Sequence, residues 1–280
     1  MVSARPIVSL EELDGLLARP GAEVRLVDTR WKLGDPEAGR RLFEEGHIPG
    51  ASYVDMDRDL AAPPGRQGRH PLPSSEDFAA AMARSGVGDG TTVIAYDDEN
   101  GLGAARLWWL LRHFGHEAVY VLDGGLRGWL AAGRPAERGQ PAVRQHFFTA
   151  RKVSDDSVEA LELRELLARD QVHLLDARAP ERWRGEIEPV DREPGRIPGS
   201  VNAPAAQNLL EHRFRSPEDL HSLYRQLGVL DGKAIVVSCG SGVTACVDLL
   251  GLELAGIHGA KLYPGSYSEW LARGFPIEKG

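Results

Sequence analysis

The chain has 280 residues, a length typical of two domains. Its 42% hydrophobic and 26% charged residues lie in the normal range for globular proteins, which excludes a disordered or collagen-like chain. Its 33 basic residues against 41 acidic ones give a net charge of -8, which excludes a generally basic surface for nucleic acid or an anionic membrane.

The sequence predicts a cytoplasmic protein. No apolar stretch approaches the length of a membrane span, and Glu11, Glu12 and Asp14 stand where a signal peptide needs an apolar core. Two cysteines are too few for a disulfide framework, and their spacing matches no metal motif. Cys246 falls on the buried face of a predicted helix and is assigned to core packing, which leaves Cys239 as a candidate nucleophile.

Short apolar runs alternate with helical patterns along the chain. The runs predict buried strands at Leu26–Asp28, Val93–Tyr96, Ala118–Leu122, Leu174–Asp176, Ala234–Val237 and Ala260–Tyr263. Apolar spacing and capping residues predict helices at Leu107–Phe114, Leu161–Ala168 and Cys246–Leu254, and helix starts at Ser75 and Ser216. This alternation predicts an α/β fold in which helices cover both faces of a parallel sheet.

The sequence also repeats itself once. Four segments of the first half resemble four of the second: Val24–Arg30 and Val172–Arg178, His47–Ala51 and Arg196–Ser200, Thr92–Tyr96 and Ala234–Ser238, Gly124–Trp129 and Gly265–Trp270. The first half has extra residues in the Pro/Gly-rich run Ala62–Pro71, which is interpreted as an inserted loop. We therefore predict two tandem α/β domains, a non-catalytic one at residues 1–140 and a catalytic one at residues 156–280, with a linker at 141–155.

Cys239 follows the predicted strand Ala234–Val237 and precedes a helix. In a parallel sheet this edge binds ligands, because loop N–H groups and the helix N-terminus stabilise an anion. Gly240 and Gly242 allow the backbone to curl around the sulfur. The pattern favours a reactive thiolate over a small buried residue in a tight turn.

These motifs resemble tandem-domain rhodanese sulfurtransferases, and most nearly their 3-mercaptopyruvate branch. The resemblance rests on Ile48-Pro49-Gly50, on Ile197-Pro198-Gly199 and on the loop Cys239-Gly240-Ser241-Gly242-Val243-Thr244-Ala245, and it covers nearly the whole chain. It implies two rhodanese-like domains and one active site, because Asp97 stands at the position that corresponds to Cys239 and cannot carry a persulfide. The related phosphatases need an arginine where this loop has Ala245, so phosphatase activity is not expected.

The resemblance assigns substrate contacts to the loop residues Gly240, Gly242, Val243 and Thr244. Thiosulfate-specific relatives have basic residues directly after the cysteine, where this chain has Gly240 and Ser241. The uncharged loop disfavours a dianion and favours a mercapto-acid with one carboxylate.

A carboxylate desolvated in a cleft needs a cationic partner. Arg182 matches the first substrate-binding arginine of the family. The second normally stands in an EPR motif, but this chain has Val190 there. We consider Arg192 and Arg196 as replacements, and the departure leaves thiosulfate open as the donor.

The resemblance further implies a serine-protease-like set formed by Asp57, His70 and Ser241, which would supply a proton when the carbon–sulfur bond breaks. Simpler roles are also open, since loop histidines are often solvated and Asp57 could cap the following turn.

The predicted function is transfer of a sulfane sulfur from 3-mercaptopyruvate, through a Cys239 persulfide, to a thiol such as thioredoxin or glutathione, or to cyanide. No metal or organic cofactor, nucleic acid or membrane partner is expected. The alternatives are a thiosulfate sulfurtransferase and a non-catalytic carrier that receives its persulfide from a partner protein.

Overall fold

The computed structural model describes residues 5–98, 101–153 and 155–280. Their contacts divide them into two compact units, one of residues 5–62, 73–98, 101–153 and 211–213, the other of residues 63–72, 155–210 and 214–280. The inserted segment Pro63–Leu72 thus belongs to the second unit, although it lies in the first half of the sequence. Residues 1–4, 99–100 and 154, part of the predicted first domain and linker, lie outside the described residues, and the predicted boundaries stay predictions.

The first unit is built on a parallel sheet. Its elements in chain order are β1 (Ile7–Val8), α1 (Leu10–Leu17), β2 (Val24–Asp28), α2 (Ala38–Glu45), β3 (Ser52–Tyr53), α3 (Ser75–Arg84), β4 (Thr92–Tyr96), α4 (Leu102–His113), β5 (Val119–Leu122) and α5 (Gly125–Ala131). Within the described residues the strand order is β1-β5-β4-β2-β3, and every neighbouring pair is parallel.

The second half of the chain repeats this plan. Its elements are α6 (Ala160–Ala168), β6 (Val172–Asp176), α7 (Pro180–Trp183), β7 (Ser200–Asn202), a 3-10 turn (Ala205–Asn208), β8 (Leu209–Leu210), β9 (Arg213–Phe214), α8 (Pro217–Gln226), β10 (Ala234–Ser238), α9 (Ala245–Leu254), β11 (Lys261–Leu262) and α10 (Ser266–Ala272). The strands of the main sheet run in the order β11-β10-β6-β7, and all are parallel. The predicted α/β fold with parallel sheets is confirmed.

Local sequence explains where helices α3 and α8 begin. Helix α3 begins at Ser75, as predicted, but the hydroxyl that caps it belongs to Ser74, which accepts from the Asp77 N–H. Helix α8 is capped by Ser216 in the same way, with Pro217 in its first turn. Helix α4 starts five residues earlier than predicted, at Leu102, and the added stretch contains the strong helix formers Ala104 and Ala105.

Apolar side chains fill both units, and the central strands supply fully buried ones, such as Ile94 in the first unit and Leu174 and Val236 in the second. Burial of each such side chain contributes roughly 1.5–3 kcal/mol to folding. No helix among the described residues combines the length and the apolar character needed to cross a membrane.

Candidate active site

Cys239 is the first residue after strand β10, at the carboxyl end of a strand that has neighbours on both sides. One of the two neighbours of β10 is β6, and Ser238 of β10 is in register with Asp176 of β6. The loop 239–244 then leads into helix α9 at Ala245. The side chain of Cys239 is 2% exposed. The predicted strand, loop and helix are all present.

The loop curls around the sulfur. The Gly242 N–H donates to Cys239 Sγ at 3.1 Å, a contact that stabilises negative charge on the sulfur. Gly242 adopts a φ of +77°, and a Cβ at this position would lie 2.3 Å from the Pro264 carbonyl oxygen. Only glycine fits both the conformation and the space.

The segment that begins α10 clamps this loop from the other side. The Cys239 N–H donates to Ser266 Oγ at 3.0 Å, and the Ser266 hydroxyl in turn donates to the Tyr263 carbonyl. The Tyr267 N–H donates to the carbonyl of Cys239, and the Ser268 N–H donates to that of Gly240. These contacts hold the loop backbone in one conformation. The roles of Ser266 and Ser268 were not predicted from the sequence.

The second cysteine behaves as a core residue, as predicted. Cys246 is fully buried in α9, and its thiol contacts the Gly242 carbonyl at 3.3 Å.

The inserted segment brings His70 to the cysteine loop. His70 Nδ1 lies 2.7 Å from Ser241 Oγ, and both side chains are buried. The backbone of the segment is anchored beside them, because the Arg69 N–H donates to Ser268 Oγ at 3.1 Å. A histidine and a serine hydroxyl in hydrogen-bond contact can move a proton at this edge of the sheet.

Asp57 lies in the first unit. Its carboxylate accepts from the Trp31 indole N–H at 3.0 Å, and its own N–H donates to Asp55. Its participation with His70 remains a prediction from the resemblance.

Arg182 reaches the cysteine loop from helix α7. A Cβ built on Gly240 would lie 3.5 Å from Arg182 Nη2. Arg182 donates two hydrogen bonds to the Glu188 carboxylate, from Nε to Oε2 at 3.2 Å and from Nη2 to Oε1 at 2.7 Å. Although burial favours the neutral acid, hydrogen bonds from Arg182 and from the Asp191 and Val190 N–H groups hold the pKa of Glu188 below its usual value. Arg182 is therefore fixed by an ionised partner.

Arg192 and Arg196, the replacements considered for the missing second arginine, make other contacts. Arg192 Nη2 donates to the Leu271 carbonyl at 2.6 Å. The Arg196 guanidinium stacks over the Trp183 ring at 4.2 Å and pairs with Glu278 at 3.0 Å. These contacts give no support to either replacement.

Another arginine stands beside the loop. Arg69 Nη2 lies 3.0 Å from the position of a Cβ on Gly240, and Arg69 Nη1 lies 2.5 Å from Asp191 Oδ1. Arg69 was not among the predicted site residues. The one sequence feature that could have indicated a role for Arg69 is its position directly before His70 in the insertion.

The first unit has the same strand-loop-helix arrangement without a thiol. The carboxylate of Asp97, after β4, accepts from the N–H groups of Gly101, Gly103 and Ala104 at 3.0, 3.0 and 3.2 Å. Burial raises the pKa of Asp97 to about 6. The carboxylate takes up the N–H groups that would otherwise be available to a thiolate or an anion.

The rhodanese-like domain family matches residues 9–132 and 159–273. A human 3-mercaptopyruvate sulfurtransferase is 40% identical over 97% of this chain and 94% of its own length. A Mycobacterium tuberculosis protein named as a thiosulfate sulfurtransferase is 39% identical over 94% of this chain and 93% of its own.

The fold has a solved counterpart. The crystal structure of SseA from Escherichia coli, described as having the rhodanese fold of 3-mercaptopyruvate sulfotransferases, matches with a TM-score of 0.83 and 32% identity. The match covers 94% of this chain and 99% of that one. The chain therefore belongs to the rhodanese family, as a sulfurtransferase with two rhodanese-like domains.

Proposed function

We propose that the protein transfers sulfur from 3-mercaptopyruvate through a persulfide on Cys239. The observation that carries this proposal is the placement of Cys239 Sγ against the Gly242 N–H, in a loop flanked by the guanidinium of Arg182. The N–H stabilises the attacking thiolate, and the guanidinium offers a partner for the donor's carboxylate.

The first step balances without an external oxidant. The Cys239 thiolate attacks the sulfur of 3-mercaptopyruvate, and a sulfur–sulfur bond forms while the carbon–sulfur bond breaks. The electron pair of the broken bond stays with carbon, and the pyruvate enolate that results takes up a proton to become pyruvate. The contact between His70 and Ser241 supports their role as the source of that proton, with Asp57 as the predicted third member.

The second step returns the enzyme to its starting state. A thiolate of a small reductant such as glutathione or of a protein such as thioredoxin, or cyanide, attacks the outer sulfur of the persulfide and leaves with it. The Cys239 thiolate is released, and neither step needs a metal or an organic cofactor. A cytoplasmic location stays a prediction.

The charge of the site favours a monocarboxylate over thiosulfate. Gly240 and Ser241 add no positive charge next to the cysteine, and Glu188 and Asp191 already lie against the nearby guanidinium groups. A dianion would therefore meet little net positive charge. Relatives of nearly equal identity are named for thiosulfate and for 3-mercaptopyruvate, so their names do not decide between the two donors.

The test is steady-state transfer to a thiol acceptor from each donor in turn. We expect a kcat/KM at least about tenfold higher with 3-mercaptopyruvate, equivalent to about 1.4 kcal/mol. Cys239→Ser should abolish transfer, whereas Cys246→Ser, the matched control, should keep it.

A higher kcat/KM with thiosulfate would contradict the assignment of the donor. Turnover of neither donor, together with loading of Cys239 only by a partner desulfurase, would make the protein a sulfur carrier instead.

A further inference from the structure

We propose that Ser266 is a positioning residue for the nucleophile, because its hydroxyl fixes the backbone of Cys239 and with it the direction of the sulfur. This inference rests on the proposed function and adds a residue to its first step. Ser266 is the first residue of α10, and its Oγ accepts the Cys239 N–H at 3.0 Å. The hydroxyl itself donates to the Tyr263 carbonyl at 2.9 Å, which leaves the oxygen facing Cys239 as an acceptor.

The backbone of Ser266 adopts a conformation that disfavours a side chain. Its φ is +50°, in the left-handed region, where a Cβ is strained. The other four described non-glycine residues with a left-handed φ, Asp155, Asp170, Glu211 and His212, are all exposed, whereas Ser266 is fully buried. Such strain persists where the surrounding structure enforces it, and it is typical of functional sites.

The first unit shows that this turn does not itself require a serine. Gly125 is the first residue of α5 and has a φ of +53°, nearly that of Ser266. In each unit the N–H of the next residue donates to the carbonyl of the residue that follows the central strand, Asp97 or Cys239. The unit whose loop carries a carboxylate has glycine at this point, and the unit whose loop carries the thiol has serine. What the serine adds is a hydroxyl that holds the nucleophile's N–H.

The contacts of Cys239 show what this hydroxyl does for the reaction. Its N–H is held by Ser266, its carbonyl accepts from the Tyr267 N–H at 3.0 Å, and its sulfur receives the Gly242 N–H at 3.1 Å. Both peptide groups that flank Cys239 are therefore fixed. A thiolate must lie in line with the bond that breaks in the donor, and a nucleophile that is already oriented lowers the barrier.

The test compares Ser266→Gly with Ser266→Ala. Both remove the hydroxyl, but glycine also relieves the left-handed backbone, and it is the residue that the first unit has here. In single-turnover formation of the persulfide, we expect both variants to lower the maximal rate about 10–100-fold. The Kd of 3-mercaptopyruvate should change less than about threefold, because the hydroxyl acts on the nucleophile and not on the donor. Urea denaturation should find Ser266→Gly more stable than Ser266→Ala, although both are equally slow.

The matched control is Ser85→Ala. Ser85 is also buried, and its hydroxyl donates to the carbonyl of the residue three positions earlier, Met82, at 2.9 Å, as Ser266 donates to Tyr263. It lies in the first unit. Ser85→Ala should lower the urea midpoint but leave the maximal rate and the Kd unchanged, which separates loss of a buried hydroxyl from loss of the contact with Cys239.

Two results would overturn the role of Ser266: a maximal rate of Ser266→Gly within about threefold of wild type, or a loss expressed only in Kd. Failure of the wild type to form a persulfide from 3-mercaptopyruvate would instead overturn the proposed function. The same comparison with inorganic polysulfide, which has no carboxylate and can also deliver a sulfur to the Cys239 thiolate, would then decide the role of Ser266.

Discussion

At the residue scale, Cys239 and Ser241 have separate partners. The sulfur receives the Gly242 N–H, whereas the hydroxyl of Ser241 contacts His70. Nucleophile and proton source are thus distinct groups on one short loop, as the chemistry requires when a thiolate attacks and an enolate must be protonated. We therefore expect His70 and Ser241 to act together in proton transfer.

This coupling predicts the effect of removing either partner. His70→Ala should lower kcat with 3-mercaptopyruvate about 100-fold, the contribution typical of a positioned proton donor, with little change in KM. Ser241→Ala added to His70→Ala should cost less than about threefold more, because the pair is already broken. The measurement is a double-mutant cycle on kcat, with the exposed His258→Ala as control.

Multiplicative losses in that cycle, or a loss expressed only in KM, would show that the two side chains act independently. The contact between them would then have no part in proton transfer.

Residue identity alone could predict part of the site. Cys239, Arg182 and His70 were predicted from motifs, because a motif fixes both the residue type and its place on an element. Arg69 could not be found in this way. Its approach to Gly240 depends on how a loop packs against a segment almost 200 residues further along the chain, and the contact between Arg69 and Ser268 has no local sequence pattern.

At the scale of elements, the same arrangement of strand, loop and helix occurs in both units, with a different residue directly after the strand. The loop between strand β10 and helix α9 presents the Gly242 N–H to the sulfur of Cys239, and the start of helix α4 presents the N–H groups of Gly103 and Ala104 to the carboxylate of Asp97. The central strands were predicted within one or two residues, since buried apolar runs are a strong signal. The two-residue strands β1 and β3 were not predicted, because so few residues carry no recognisable alternation.

The buried carboxyl of Asp97 predicts a pH dependence of stability. Burial raises its pKa to about 6 from the ordinary 3.8, so the folded chain binds this proton more tightly than the unfolded chain does. The stability from this group is complete below about pH 4 and is lost as pH rises through about 6. The difference amounts to about 3 kcal/mol.

Asp97→Asn should remove this dependence. We expect the free energy of unfolding of wild type, relative to the variant, to fall as pH rises from about 4 to about 7, as measured by urea denaturation of the full chain. The neighbouring Asp98→Asn, whose carboxyl is 56% exposed, is the control. Parallel profiles for wild type and Asp97→Asn would contradict the prediction.

At the scale of the whole molecule, two units of the same plan differ in what their loops carry. The first has Asp97 and the second has Cys239. The inserted segment that supplies His70 and Arg69 is encoded in the first half of the sequence but belongs to the second unit by its contacts. The repeat in the sequence predicted the duplicated plan, and the resemblance, which sets His70 with Ser241, already implied that the insertion reaches the second half of the chain.

This organisation predicts one sulfur per chain. Each chain should gain the mass of a single sulfur atom, on Cys239, because the first unit has Asp97 at the corresponding position and Cys246 lies within helix α9, away from the loop N–H that contacts Cys239.

The most direct test of the account is therefore mass spectrometry of the intact chain after brief exposure to 3-mercaptopyruvate without an acceptor, followed by peptide mapping. We predict one added sulfur on the peptide that contains Cys239, released by a thiol and absent from Cys239→Ser. An adduct on Cys246, or no adduct in a wild-type chain that turns over the donor, would contradict it.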